Sequence, residues 1–274
     1  MHLFPWLSSA LAATALAATA AASGGKGIVQ VDLTFPRNKT YAPAEWLPFV
    51  FAYQNAEPAT YLNSQIHLDI WPYNDSDRVT SPKYRSYTFD VREFNHSSND
   101  PFFEYRGLKF DTEGVWLMLW DFRWSNCSEN PSRSNGEPVF ADDRMARRIV
   151  FTTKNSAPTL DLVDATKNAQ CSNSSGIALN VTENIDVPAG TDYPGGAKCP
   201  ALAAAPPTPS LCLPAIDSAT ASKVSASLAS LECRATSPVV GCNLDDEEGA
   251  AANVAVGAVA TLAVAVGSIS FLLF

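Results

Sequence analysis

The chain has 274 residues and a mass of 29.3 kDa, enough for one large domain or two modest ones. It is 46% hydrophobic, 10% aromatic and only 17% charged, which excludes wholesale disorder. A net charge of −9 with a pI near 4.8 argues against a nucleic-acid binder that needs a basic face, and three histidines leave little for a histidine-rich metal enzyme.

Residues 1–22 carry no Lys, Arg, Asp or Glu. An apolar stretch from Leu7 ends in small residues, and Ala20 and Ala22 supply an A-x-A pattern for cleavage before Ser23. This is the layout of a secretory signal peptide.

Residues 23–155 hold 23 aromatic side chains and read as a conventional core builder. In IVQVDLTF, 28–35, Val29, Val31, Leu33 and Phe35 alternate with Gln30, Asp32 and Thr34, which predicts a half-buried strand. WLPFVFAY, 46–53, predicts a more buried strand, which Pro48 demotes to an edge or bulged position. QIHLDIW, 65–71, alternates again, with Ile66, Leu68 and Ile70 opposing His67, Asp69 and Trp71. Residues 84–91 and 102–110 are further strands, and 147–153 closes the series. VWLMLWDFRW, 115–124, is the strongest strand of the chain. Trp116, Met118, Trp120, Phe122 and Trp124 share one face, read as core, with a sugar-stacking platform as the alternative. The other face turns polar at Asp121 and Arg123, so that side reaches solvent. About seven strands separated by polar or Pro-rich turns predict a mainly β fold, an immunoglobulin-like antiparallel β-sandwich.

Residues 156–242 form a different segment, rich in Ala, Ser and Pro, with Tyr193 as the single aromatic in 156–248. IALNVTENIDV, 177–187, alternates weakly and predicts a strand or two. Residues 194–210 read as a loop or extended linker. Residues 217–232 predict one short helix, capped by Asp217 or Ser218, with Val224, Leu228 and Leu231 on one face.

The segment also carries five of the six cysteines, Cys171, Cys199, Cys212, Cys233 and Cys242; the sixth is Cys127. An even count in a secreted chain predicts disulfides, with fifteen pairings open. If all six pair, Cys127 must bond into the second segment and staple this extension to the sandwich. No two cysteines are closer than nine residues, which argues against zinc clusters.

Residues 243–274 begin with the acidic spacer Asp245, Asp246, Glu247 and Glu248, and 249–274 contain no charged residue. Small residues, a mildly polar stretch and an apolar tail reproduce a glycosylphosphatidylinositol (GPI) attachment signal. Gly249 is the first choice of attachment residue, with Asn253 and Asn243 as alternatives. A retained single C-terminal helix is the other way to hold the membrane.

Six sequons, at Asn38, Asn74, Asn95, Asn126, Asn173 and Asn180, predict N-glycans on surface loops. In the Asn126 sequon the middle residue is Cys127. Chemistry is sparse. There is no paired-histidine motif and no G-x-S-x-G elbow, and the mature chain would not begin with a histidine. Asp69, Asp121, Asp142 and Asp143 are the acids that a glycoside hydrolase reading would use. The residue pattern predicts no catalytic residue, metal site or cofactor. Trp71 and Tyr73, at a strand end, are candidate glycan-stacking residues.

VDLTFPRNKTYAP, 31–43, resembles the opening signature of a family of secreted filamentous-fungal proteins that carry a domain of unknown function. GVWLMLW at 114–120 followed by Asn126-Cys127, CSNSSGIALNVT at 171–182 and the Cys212-to-Cys233 block are similar to later parts of that family. The resemblance spans roughly residues 28–235 and implies a fungal, secreted, surface-anchored protein without implying an activity. The combined expectation is a non-catalytic, GPI-anchored glycoprotein on the outer face of the plasma membrane or in the wall. Cell-wall polysaccharide is its candidate partner and nucleic acid is not. A secreted carbohydrate-active enzyme and a purely structural wall protein are the alternatives.

Overall fold

The computed structural model describes residues 25–75, 80–91, 100–128, 139–167, 176–191, 193, 196–209 and 212–235. The expected signal peptide, the acidic spacer, the apolar tail, Gly249, Asn253 and Asn243 lie outside the described residues, as do Cys171, Cys242, Asn95 and Asn173.

Among the described residues ten strands run in chain order as β1 Gly27–Phe35, β2 Thr40–Tyr41, β3 Ala44–Gln54, β4 Gln65–Pro72, β5 Arg85–Asp90, β6 Phe102–Phe110, β7 Gly114–Ser128, β8 Val139–Thr153, β9 Ile177–Asp186 and β10 Lys198–Leu202. They form two five-stranded sheets, β10-β9-β1-β3-β6 and β2-β8-β7-β4-β5. Aromatic contacts join the two inner faces: Phe51 meets Trp120 with ring centroids 5.3 Å apart, and Phe110 meets Trp116 at 5.1 Å. Edge-to-face geometry suits the ring quadrupoles and adds to the area buried. Trp116, Met118, Trp120, Phe122 and Trp124 are all buried, so that face of β7 is core and is no sugar platform. Trp116 satisfies its indole by donating to Thr153 Oγ1 at 2.8 Å.

The sandwich is antiparallel except at β2. The chain leaves β1 at Pro36, crosses to the second sheet and lays Thr40 and Tyr41 parallel to Thr152 and Thr153. β3 is an interior strand that pairs both β1 and β6, so of the two positions expected from Pro48 the edge is not found, while the β3–β6 register shifts between Ala44 and Leu47, just before the proline. Its ladder to β1 stops at Val50, so at Pro48 only β6 is beside it and the missing N–H is tolerated.

Strands β9 and β10 come from the Ala-rich segment and complete the first sheet by pairing with β1 and with each other. A strand therefore stands inside the expected 194–210 loop. Pro200 is accommodated there because β10 is an edge, and Cys199 is bonded to Cys127 of β7 across 72 residues. Cys212 and Cys233 are also in disulfides.

Among the described residues two α-helices, one more than the sequence predicts, cover the outer face of the first sheet: α1 Leu162–Thr166 and α2 Ser218–Ala235. Asp217 caps α2, its carboxylate accepting from Thr220 N at 2.6 Å. Gly107 of β6 lets α2 approach, because a Cβ there would lie 2.6 Å from Leu228 Cδ2 and 2.8 Å from Leu231 Cδ1.

The same outer face holds a buried carboxylate. Asp32 Oδ2 accepts from Gln30 Nε2 and Gln54 Nε2, each at 2.8 Å, while Oδ1 has no partner. Gly176 beside it is required, since a Cβ would collide with Oδ1. Burial raises the Asp32 pKa above the ordinary 3.8, only partly offset by the two amide donors.

Two outcomes follow. The folded state holds the Asp32 proton more tightly than the unfolded chain, so the Asp32 contribution to stability is present below its unfolded pKa. It declines as pH rises through the raised folded value. Asp32→Asn removes that decline, and urea midpoints compared from acid to neutral pH will show the variant gaining on the wild type as pH rises. Trp120→Ala is expected to lower unfolding free energy by about 3–5 kcal/mol, and Val115→Ala on the exposed face by about 0.5 kcal/mol or less, measured by urea denaturation.

Candidate functional site

Among the described residues no helix lies on the outer face of the second sheet, and the polar side chains that the strand period sends outward meet there. With Trp120 and Phe122 inward, β7 presents Leu119, Asp121 and Arg123 outward. β4, with Ile66, Leu68 and Ile70 inward, presents Gln65, His67, Asp69 and Trp71. Register sets His67 opposite Asp121, Asp69 opposite Leu119 and Gln65 opposite Arg123. On the other side of β7, Arg144 lies opposite Arg123, Ala146 opposite Asp121 and Arg148 opposite Leu119.

Two adjoining clefts lie on this face. One, about 670 Å³, is lined by Asn63, Gln65, Arg123, Ser125, Asp142 and Arg144 among others. The second, about 480 Å³, is lined by His67, Asp69, Tyr84, Asp121, Arg123 and Arg144 among others. Arg123 and Arg144 line both, so the clefts form one polar groove along β4 and β7.

The groove is internally organised. Asp121, 4% exposed, is flanked by Arg123 Nη2 at 3.5 Å and Arg144 Nη1 at 3.7 Å from Oδ2. Asp69, 6% exposed, accepts from the Tyr84 hydroxyl at 2.5 Å and lies 3.2 Å from His67 Nε2. His67 Nδ1 is 2.8 Å from Thr88 Oγ1. The Asp69 carboxylate favours a proton on Nε2, leaving Nδ1 to accept from the Thr88 hydroxyl. At one end, Ser125 Oγ donates to Asp142 Oδ1 at 2.6 Å, and Gln65 Nε2 donates to Asp90 Oδ1 at 2.6 Å. Tyr193 braces this end from below, its hydroxyl donating to Tyr61 O at 2.9 Å; burial raises its pKa above the ordinary phenol value.

The opposite end of the face is apolar. Trp71 is half-buried opposite Leu117, and Tyr73, just past the strand, is 54% exposed. Tyr73 N donates to Val115 O at 2.8 Å, which ties it to the start of β7, where Val115 is itself exposed. Aromatic rings at one end and hydrogen-bonding groups along the rest are arranged for an elongated, hydroxyl-rich ligand.

Of the residues singled out in the sequence, the structure brings Asp69, Asp121 and Asp142 to this groove and Trp71 and Tyr73 to its margin. Asp143 lines the groove beside Asp142, its Oδ1 accepting from Arg144 N at 2.7 Å. Asn38 and Asn74 are exposed, while Asn126 and Asn180 are half-buried in β7 and β9. Tyr84 and Arg144 were missed by sequence reasoning. For Arg144 the available signal was the charge cluster Asp142-Asp143-Arg144 before the apolar run of β8. Among the described residues no three metal-ligating side chains converge.

Asp121 depends on its guanidinium neighbours because it has little solvent of its own. Arg123→Met is expected to destabilise the fold by about 1–3 kcal/mol, with Asp121→Asn in the same chain recovering part of the loss, read from a denaturant double-mutant cycle.

No curated protein and no solved structure matches the chain. A family described as a domain of unknown function, DUF7136, matches residues 25–242, from the start of the described sandwich to beyond α2. The chain belongs to that family.

Proposed function

We propose that this protein is a non-catalytic, GPI-anchored fungal cell-surface glycoprotein whose sandwich binds wall polysaccharide along the outer face of the second sheet. The observation that carries the binding part is the groove between His67, Asp121 and Arg144, continued by Trp71 and Tyr73. Sugar rings have apolar C–H faces that stack on aromatics and hydroxyls that take bidentate partners such as carboxylates and guanidiniums. The surface location is supported by the sequence pattern: a cleavable leader, six sequons and a charge-free C-terminal tail behind an acidic spacer.

The binding part is tested by titrating the mature protein with β-glucan, chitin and mannan oligosaccharides. One class is expected to bind, and Tyr73→Ala, a change at an exposed side chain, weakens it by about tenfold, equivalent to about 1.4 kcal/mol. No binding across the three classes contradicts the reading. For the anchor, phosphatidylinositol-specific phospholipase C is expected to release the protein from membranes, and a fully retained protein favours a single C-terminal helix instead.

A second reading, a secreted glycoside hydrolase, is favoured by one observation. Asp69 and Asp121 are diagonal neighbours on adjacent strands, which sheet geometry sets about 7–8 Å apart. Both are nearly buried in one groove and differ in their partners, a hydroxyl and an imidazole against two guanidiniums. Two carboxyl groups in unlike surroundings are what acid–base cleavage of a glycosidic bond uses. Release of reducing ends from wall polysaccharide, abolished by Asp121→Asn, selects this reading over simple binding.

A further inference from the structure

The longest open hydrogen-bonding edge among the described strands belongs to β8. β7 pairs with all of it, from Val139 to Thr153, but on the other side β2 covers only Thr152 and Thr153. Thr152 N donates to Lys39 O at 3.0 Å and Lys154 N to Tyr41 O at 2.9 Å, so the even-numbered residues of β8 aim their main-chain groups outward. From Val139 to Phe151 no other described strand receives them. Two are held only by neighbouring side chains: Arg144 N donates to Asp143 Oδ1 at 2.7 Å, and Ala146 O accepts from Arg147 Nη1 at 2.9 Å.

Charged residues on an edge strand normally keep other strands away. The charges here are ordered differently. The run is Asp142, Asp143, Arg144, Met145, Ala146, Arg147, Arg148, with both acids before Met145 and two bases after it. An antiparallel second copy centred on Met145 sets Asp142 against Arg148 and Asp143 against Arg147, and the two-fold axis repeats both pairs. Opposed residues in such a ladder lie on one face, and the even-to-even pairing uses the outward main-chain groups. A copy centred on Arg144 faces two guanidiniums, and one centred on Ala146 puts Arg144 against Arg148 twice. Length selects the same register, because Met145 is the midpoint of Val139–Phe151. β2 of each copy then sits just past the end of the shared ladder. Asp142 and Arg148 are both exposed on the outer face. Asp142 also accepts from Ser125, which leaves its second oxygen for a guanidinium.

We infer that two copies of this chain pair along β8 about a two-fold axis at Met145, joining their second sheets into one continuous ten-stranded sheet. The inference stands without the glycan reading. If both hold, Arg144, Ala146 and Arg148 form the seam between two grooves on one face, and a long polymer spans both sites with the avidity of a linked pair.

Sedimentation velocity of the mature protein from a eukaryotic secretory host tests the pairing. The wild type is expected to be a dimer at about 100 μM. Arg148→Asp sets the introduced carboxylate against Asp142 at both ends of the ladder and raises the dimer Kd by about tenfold or more. Asp142→Arg does the same with two arginine pairs. Mixed in equal amounts, these two variants are each complementary to the other and recover a dimer. Ala146→Pro removes an outward N–H that β7 does not use, and gives a monomer. Circular dichroism establishes that each variant is folded. A monomeric wild type, a dimer that survives both Arg148→Asp and Ala146→Pro, or a mixture of folded charge variants that stays monomeric overturns the inference.

Discussion

Everything on the open face of this sandwich follows from the aromatic file buried on the other side of β7. A strand has a period of two, so seating Trp116, Met118, Trp120, Phe122 and Trp124 against the first sheet leaves Leu119, Asp121 and Arg123 nowhere to point but outward. β4 is registered on β7 by the same core, through Ile66, Leu68 and Ile70. A slip of one residue would send His67 and Asp69 into the interior and the three aliphatics into water. The groove thus takes its geometry from packing energy, and His67, Asp69, Asp121, Arg123 and Arg144 sit on strands and need no loop to hold them.

The two outer faces of the sandwich are used in opposite ways. The first is covered by α1 and α2, with Val224 and Ile216 fully buried and Asp32 held beneath. The second carries no described helix. The Cys127–Cys199 bond joins them at one end by tying β7 of the open sheet to β10 at the far edge of the covered one. The segment after residue 155 is therefore part of the sandwich itself, supplying two strands of one sheet and that sheet's cover. The second sheet presents outward polar side chains and the long edge of β8, while α1 and α2 cover the face of the first.

Much of this was legible because β strands advertise their two faces. The alternation in 28–35 and 65–71 predicted β1 and β4 nearly to the residue, and the turn to polarity at Asp121 and Arg123 marked the open side of β7. Asp217 and the Val224–Leu228–Leu231 stripe predicted α2. What escaped lacked an apolar period. The first eight residues of β8 are mostly exposed and include Asp142, Asp143 and Arg144, and they form a strand only because β7 offers a long partner. β10 hid in a Pro- and Ala-rich stretch, where pairing with β9 and the disulfide override weak local preference. Tyr84 reaches Asp69 across 15 residues of sequence, a contact that sheet pairing creates and no local spacing announces.

The central claim is that the face opposite the aromatic core, and no other, meets a polysaccharide. Mapping amide and side-chain NMR shifts of the mature protein during addition of a wall oligosaccharide tests it directly. The account predicts changes at the His67 ring, the Trp71 indole and the amides of Arg123 and Arg144, with the α2 face unmoved. Changes confined to the cleft between Phe103, Tyr105 and Lys223 at the start of α2, about 450 Å³ in volume, would contradict it.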